Sequence, residues 1–276
     1  RKFQRPKLKT KKKQKKQIQK TNNNYERETQ NQIIAIWGSP GSGKSTLSVK
    51  MALELSNKKK NVILIHDDIF CPTIPIILPN LDKENRDKSL GNILTNPNID
   101  QGTILDNSIT IKNNDYIALI GHQKGENPLT YPDYIRERAV DLFLLLRHMA
   151  DYIIIDCSSI ITESLLTITA LEFADKVIRL STADFKGLSY FKSILPLLMD
   201  NKFKIENHLR IVSNIKDFQA KETINDIIRG SGIYIPYTVE IERQYMEGNL
   251  LNNLYDKQST LYKDTIQDII KGALNG

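Results

Sequence analysis

The amino-acid sequence predicts an α/β fold: a mostly parallel sheet of about seven strands with helices on both faces. Three observations carry this expectation. Short apolar runs alternate with stretches of helical periodicity, the pattern of repeated βα units. The runs are apolar throughout instead of alternating with polar residues, as in strands covered on both faces. The chain has 276 residues, 40% of them hydrophobic and 26% charged, enough for one large domain with a continuous core.

The elements follow in order. QIIAIW at 32–37 reads as the first buried strand, and 46–56 as a helix rich in Ala, Leu and Met. NVILI at 61–65 and YIALI at 116–120 read as the second and third strands. The polar segment 82–114 reads as a partly helical insertion. An amphipathic helix is expected at 132–149, with Leu142, Leu145, Leu146 and Met149 on its apolar face. YIII at 152–155 is the fourth strand; 177–180, 209–213 and 233–235 are the remaining three. Further helices are expected at 164–173, 187–199, 221–230 and 260–274. The last places Leu261, Ile266, Ile269, Ile270 and Leu274 at helical spacing among mixed charges. It therefore reads as packed on the domain, not as a basic membrane-surface helix.

Charge divides the chain into two parts. The net charge is +7, yet residues 1–30 hold 12 Lys and Arg against two Glu, a net of +10. The remainder, 31–276, is close to neutral and forms the folded body. KKKQKK at 11–16 lies among Gln, Asn and Thr with too few apolar residues to offset ordering entropy, so 1–30 reads as a basic disordered tail. Such a tail serves as a solubilising linker, as a tether to an anionic membrane, or as a non-specific DNA contact. With only Phe3 and Tyr25 interleaved, base stacking has little support. Two cysteines, Cys71 and Cys157, exclude a disulfide framework and favour a reducing, cytoplasmic setting. No apolar run reaches the length of a transmembrane helix, and no secretory signal is recognised. The chain opens on Arg1 instead of Met, which reads as a fragment or processed form. The four histidines, at 66, 122, 148 and 208, lack metal-ligand spacing. No Ser/His/Asp arrangement and no G-x-S-x-G elbow is present.

The strongest chemical signal is GSPGSGKST, which fits G-x-x-x-x-G-K-[ST] between a strand and a helix. Gly38, Ser39, Pro40, Gly41, Ser42 and Gly43 form a loop whose backbone N–H groups can cradle phosphates. Lys44 supplies a point charge to the β- and γ-phosphates, Ser45 a hydroxyl for Mg2+, and Thr46 a contact to the α-phosphate. This is the signature of a P-loop nucleoside triphosphatase. Asp156 ends the run DYIIID at a strand's carboxyl end, where a carboxylate holds the Mg2+ shell through water. Asp68, in IHDD after the second strand, is placed to order the attacking water; its neighbour Asp67 is an alternative, and a loop-capping acid is the plainer reading of either. Arg136 and Arg138 open a helix and read as an exposed face.

Several segments together resemble the ParA/MinD group of P-loop ATPases, across 32 to the C-terminus. They are IIAIWGSPGSGKSTLSVKMALELS, NVILIHDD, DYIIIDCSS, ADKVIRLSTADFKGL, RIVSNIK and IPYTVEIERQYMEGNLL. The resemblance implies ATP and Mg2+ as ligands, slow hydrolysis, a homodimer, Asp68 as the water-orienting acid, Asn214 as the adenine reader and Pro236 at the base pocket. His66 stands where the family usually has another acid. Ser39 stands where its extra lysine reaches across to the partner's nucleotide, so a lysine-bridged dimer is not implied. GSPGSGKST with GENPLTYP at 125–132 is most similar to the TadZ/CpaE-like subgroup of pilus and secretion machinery. That implies a switch that positions a pilus or secretion complex, peripheral at the inner face of the membrane. A partition ATPase that segregates DNA, with the tail on DNA, and a nearly inactive nucleotide-binding scaffold are the alternatives.

Overall fold

A computed structural model describes residues 32–219 and 232–274. The tail at 1–30 and the helix expected at 221–230 lie outside these residues.

Eight strands form one sheet. They are β1 (Gln32–Gly38), β2 (Val62–His66), β3 (Ile109–Ile111), β4 (Asn114–Gly121), β5 (Tyr152–Asp156), β6 (Lys176–Thr182), β7 (Leu209–Ile215) and β8 (Ile233–Pro236). Their spatial order is β3-β4-β2-β5-β1-β6-β7-β8. Every neighbouring pair is parallel except β3 with β4. The seven expected strands are all present. The eighth, β3, is three residues long and pairs as a hairpin through Asn113, which sits at φ 66°. Its only local signal is a short β-branched run ahead of Lys-Asn-Asn.

The helices are α1 (Lys44–Asn57), α2 (Ile74–Ile77), α3 (Leu90–Leu94), α4 (Gln101–Asp106), α5 (Arg136–Leu146), α6 (Leu165–Phe173), α7 (Phe185–Ile194), α8 (Val239–Met246) and α9 (Thr260–Leu274). Strand pleating sends successive side chains to opposite faces, and two cores result. Ile33, Ala35, Trp37, Ile153 and Ile155 pack with Leu142, Phe143 and Leu146 of α5, Leu166 of α6 and Phe191 of α7. Ile34, Ile36, Leu64 and Ile154 pack with Leu47, Met51 and Leu55 of α1 and with Ile266, Ile269 and Ile270 of α9. Each fully buried side chain of this kind contributes about 1.5–3 kcal/mol. The last helix is therefore part of the domain core, as its mixed charges suggest.

Two helices are shorter than their periodicity predicts. α5 begins at Arg136, after Ile135 in an extended conformation (φ −106°, ψ 147°). α7 gives way to a 3-10 turn over Leu195–Leu198. Pro196 has no N–H to continue the i→i−4 ladder, which ends the helix there.

Both central strands end on the same sheet edge. β1 lies between β5 and β6, so the turn into α1 opens beside the ends of both neighbours. That edge carries the site.

Candidate nucleotide site

The turn after β1 is built from backbone constraints. A Cβ on Gly38 would lie 1.9 Å from the Leu180 carbonyl oxygen of β6, so only glycine lets the two strands approach there. Gly41 and Gly43 have φ of +75° and +83°, the left-handed region that glycine enters without strain. Ser39 donates its N–H to Leu180 O at 3.1 Å, and Ser42 donates to Ser39 O at 3.1 Å. The Ser213 hydroxyl of β7 donates to Ser42 O at 2.5 Å. The loop is thereby tied to β6 and β7.

Gly43 caps α1 without a side chain, and no acid lies in the first turn. The first helical bond runs from Leu47 N–H to Gly43 O at 2.8 Å. The amides of Lys44, Ser45 and Thr46 precede that bond and have no i→i−4 partner. Together with the positive end of the helix dipole they make an anion site.

Lys44 Nζ donates to Ser159 Oγ at 2.5 Å. Ser159 Oγ in turn donates to Gly38 O at 3.0 Å, and its carbonyl accepts from Tyr190 OH at 2.7 Å. Burial lowers the Lys44 pKa, while Asp156, Asp68 and Cys157 oppose the shift. An ammonium drawn from water with a neutral hydroxyl as partner gains strongly from an anion brought to it.

Two acids lie on opposite terms with this cation. Asp156 is buried; its Oδ2 meets His66 Nδ1 at 2.8 Å, and its Oδ1 has no hydrogen-bond partner. An orphaned carboxylate oxygen on an acid whose charge acts on the Lys44 ammonium suits a hard, water-clad cation, so Asp156 with the Ser45 hydroxyl fits Mg2+. Asp68 is half-buried and accepts the N–H groups of Phe70 and Cys71 at 3.0 and 2.9 Å. It caps its own loop and also faces the cavity. Its neighbour Asp67 is buried and occupied: the Thr167 hydroxyl donates to it at 2.6 Å and Ser164 donates to the same oxygen. Burial raises the Asp67 pKa to about 6, against those hydroxyls.

The loop opens on a cavity of about 660 Å3. Pro40, Gly41, Ser42, Gly43, Lys44, Ser45 and Thr46 form one end, and Asp68 and Asn214 also line it. Gly38, Ser39, Asp156 and Pro236 do not reach its wall; the neighbours of Pro236, Ile235 and Tyr237, do. Ser39 is fully buried and its Oγ accepts from Thr182 N–H at 3.4 Å, so it points into the β1–β6 seam. Asn214 sits at φ 57°, at the irregularity between β7 and β8. A Cβ on Gly43 would lie 3.9 Å from Asn214 Nδ2, which sets the amide beside the loop.

Sequence reasoning missed the second partner of each key group, Ser159 for Lys44 and His66 for Asp156. It also missed much of the rest of the wall, which is lined by Tyr245 and Ile241 of α8, Tyr262 of α9, Phe70 and Cys71. GENPLTYP has a structural role. Glu126 accepts from Ser89, Gln123 N–H, Tyr131 and His122 at 2.8, 2.9, 2.7 and 3.2 Å. Burial opposes it, but these donors hold its pKa down, at about 2. Arg136 is engaged by Glu172 and Arg138 by Asp141.

A parallel sheet with a Gly-rich loop opening a helix at its carboxyl edge defines the class, the P-loop NTPase fold. The AAA_31 family model, an AAA domain, matches residues 31–211, and the chain belongs to that family. The search of curated proteins finds no match. Among solved structures, the cell division ATPase MinD of Pyrococcus furiosus is 18% identical, with a TM-score of 0.67 over 88% of this chain and 100% of that one. A ParA family ATPase from Chlorobium tepidum is 16% identical, with a TM-score of 0.68 over 86% and 96%. A putative plasmid partition protein from Borrelia burgdorferi, bound to AMPPNP, is 22% identical, with a TM-score of 0.65 over 87% and 98%. These likenesses establish the fold. No helix among the described residues is long and apolar enough to cross a membrane.

Proposed function

We propose that the protein is an ATP-binding molecular switch that hydrolyses ATP slowly. The observation that carries this reading is the Lys44 ammonium, largely withdrawn from water beside uncapped helix amides and held by a neutral hydroxyl. In this reading the triphosphate takes the place of Ser159 as the partner of Lys44. The amides of 41–46 hold the phosphate oxygens, and Lys44 bridges the β- and γ-phosphates. Ser45 and, through water, Asp156 hold Mg2+, which neutralises charge developing on the phosphates. Asp68 orients a water whose oxygen attacks the γ-phosphorus as the bond to the β–γ bridging oxygen breaks. Asn214 reads the adenine, and the residues around Pro236 line the base end.

Binding would move Lys44 off Ser159. Ser159 belongs to the turn between β5 and α6, and its carbonyl is tied to α7 through the Tyr190 hydroxyl, so a shift of this residue would be passed toward α7. We infer a homodimer as the output state, formed without a lysine at position 39.

The positioning of a pilus or secretion complex at the inner face of the membrane is the role that GSPGSGKST and GENPLTYP support. The basic segment 1–30 suits the anionic surface of that membrane. A DNA-partition role is the second reading. It is favoured by the fold shared with a plasmid partition protein and by the same basic segment. Binding to anionic vesicles that is lost on removing 1–30 supports the first; salt-dependent DNA binding lost by the same truncation supports the second.

The functional reading is tested by titrating ATP with Mg2+ into the wild type and Lys44→Ala. The substitution is expected to weaken binding by about 100-fold, the loss typical of one preorganised charge-assisted contact. Equal affinities would refute the reading.

A further inference from the structure

Among the described residues, Ser42 Oγ, Asp156 Oδ1 and His66 Nε2 are buried polar atoms of this region without partners, and the last two belong to one contact. His66 ends β2 and Asp156 ends β5. The two are register partners on adjacent parallel strands, so their side chains leave the same face of the sheet. His66 Nδ1 lies 2.8 Å from Asp156 Oδ2, with the residues 1% and 2% exposed. A carboxylate oxygen only accepts, so Nδ1 carries the proton.

On the other side of β2, His66 is the register partner of Gly121. A Cβ on Gly121 would lie 3.2 Å from His66 Cβ and 2.8 Å from Ile74 Cγ1, so the glycine of β4 lets the Cβ of His66 and the side chain of Ile74 approach. Neither His66 nor Asp156 reaches the cavity wall; the hydrogen bond of His66 is to Asp156, whose charge acts on Lys44.

We propose that His66 is a positioning residue: its Nδ1–H clamps Asp156 Oδ2 and holds Oδ1 open toward the water shell of Mg2+. The proposal rests on the functional reading above and deepens it. An unrestrained carboxylate turns about a broad, two-fold torsion. A bond to one oxygen fixes its plane and decides which oxygen is presented. A polar pair serving only to fill the core would be expected to satisfy its own atoms; here, among the described residues, one carboxylate oxygen is satisfied and the other is left over, on an acid whose charge acts on Lys44. Partners of this kind, one bond removed from a metal site, typically alter metal affinity by 10–100-fold.

The test uses the full chain and a non-hydrolysable ATP analogue, titrated calorimetrically with Mg2+ and with a chelator. His66→Leu keeps the bulk and removes the donor; His66→Asn supplies an N–H to the same oxygen. His66→Leu is expected to lose about tenfold of the Mg2+-dependent gain in affinity and to keep the metal-free affinity. His66→Asn is expected to restore most of the gain. A His66→Leu protein with the full gain, or with equal losses in both conditions, would overturn the proposal while leaving ATP binding intact. If His66→Leu does not fold, His66→Asn decides: a gain reduced as far as in Asp156→Ala would overturn the clamp. A wild type that binds no ATP would overturn the functional reading and this inference together.

Discussion

The two ends of the cavity are built in opposite ways. The phosphate end is seven consecutive residues, Pro40 to Thr46, whose chemistry is mostly backbone: two glycines at positive φ, three amides ahead of the first helical bond and one lysine. The far end is made of side chains from separate elements, with Tyr245 from α8, Tyr262 from α9, Ile235 from β8 and Phe70 from the turn after β2. One end is a local motif that holds charge, the other a tertiary assembly that offers shape and apolar surface. Affinity is therefore expected to reside at the first end and base choice at the second. Substitutions can separate them.

The largest effects belong to the charged end. Beyond the loss of affinity at Lys44, Asp68→Asn is expected to lower single-turnover ATP hydrolysis by about 100-fold, in the range for a positioned general base or water-orienting group. Its ATP affinity should stay within about threefold of wild type. A similar fall in affinity would make Asp68 a binding residue and blur the contrast.

Lys50 joins the two ends. It lies in the middle of α1, buried, and donates to Gln244 Oε1, Leu250 O and Asn252 O at 2.6, 2.7 and 2.6 Å. Burial lowers its pKa to about 7, with Glu240 opposing. Lys50→Met fills the space but strands those oxygens. It is expected to destabilise the fold by about 3 kcal/mol in denaturant titrations, and to loosen the 244–252 segment in hydrogen exchange before the rest. Unchanged stability would show that α1 is held by its apolar face alone.

For base choice, Asn214→Ala is expected to reduce the preference for ATP over GTP by about tenfold, the worth of one good base-edge contact. Its effect on inorganic triphosphate binding should be negligible. An effect on stability alone is expected at Asp67, which is buried but off the cavity. Its folded pKa of about 6 exceeds the unfolded value near 4. Between pH 4 and 6 the folded state therefore holds the extra proton, and stability falls as pH rises through that window. Asp67→Asn should remove that slope, by about 2 kcal/mol across it, in melts recorded from pH 4 to 7. A slope that persists in the variant would place the titration elsewhere.

How much of this was legible follows from the same contrast. GSPGSGKST could be read because a contiguous string and its flanking pattern fix both loop geometry and chemistry. The seven expected strands were readable because each carries an apolar run, continuous in the central ones that are buried on both faces. Strand β3 was not, since three residues at a sheet edge give no period to detect. Nor was the identity of the partners. Ser159 meets Lys44 across 115 residues and His66 meets Asp156 across 90, and only the parallel register of β2 with β5 puts the latter pair side by side. In IHDD, Asp68 is the expected water-orienting acid, with its neighbour Asp67 as the alternative. Strand direction decides between them, turning one to the hydroxyls of Ser164 and Thr167 and the other to the cavity.

The most direct measurement is a crystal structure of the full chain with Mg2+ and a non-hydrolysable ATP analogue. The account predicts β- and γ-phosphate oxygens within hydrogen-bond distance of the amides of 41–46, Lys44 Nζ moved from Ser159 onto them, and Asp156 Oδ1 facing a metal-bound water. A triphosphate bound elsewhere, with Lys44 still on Ser159, would contradict it.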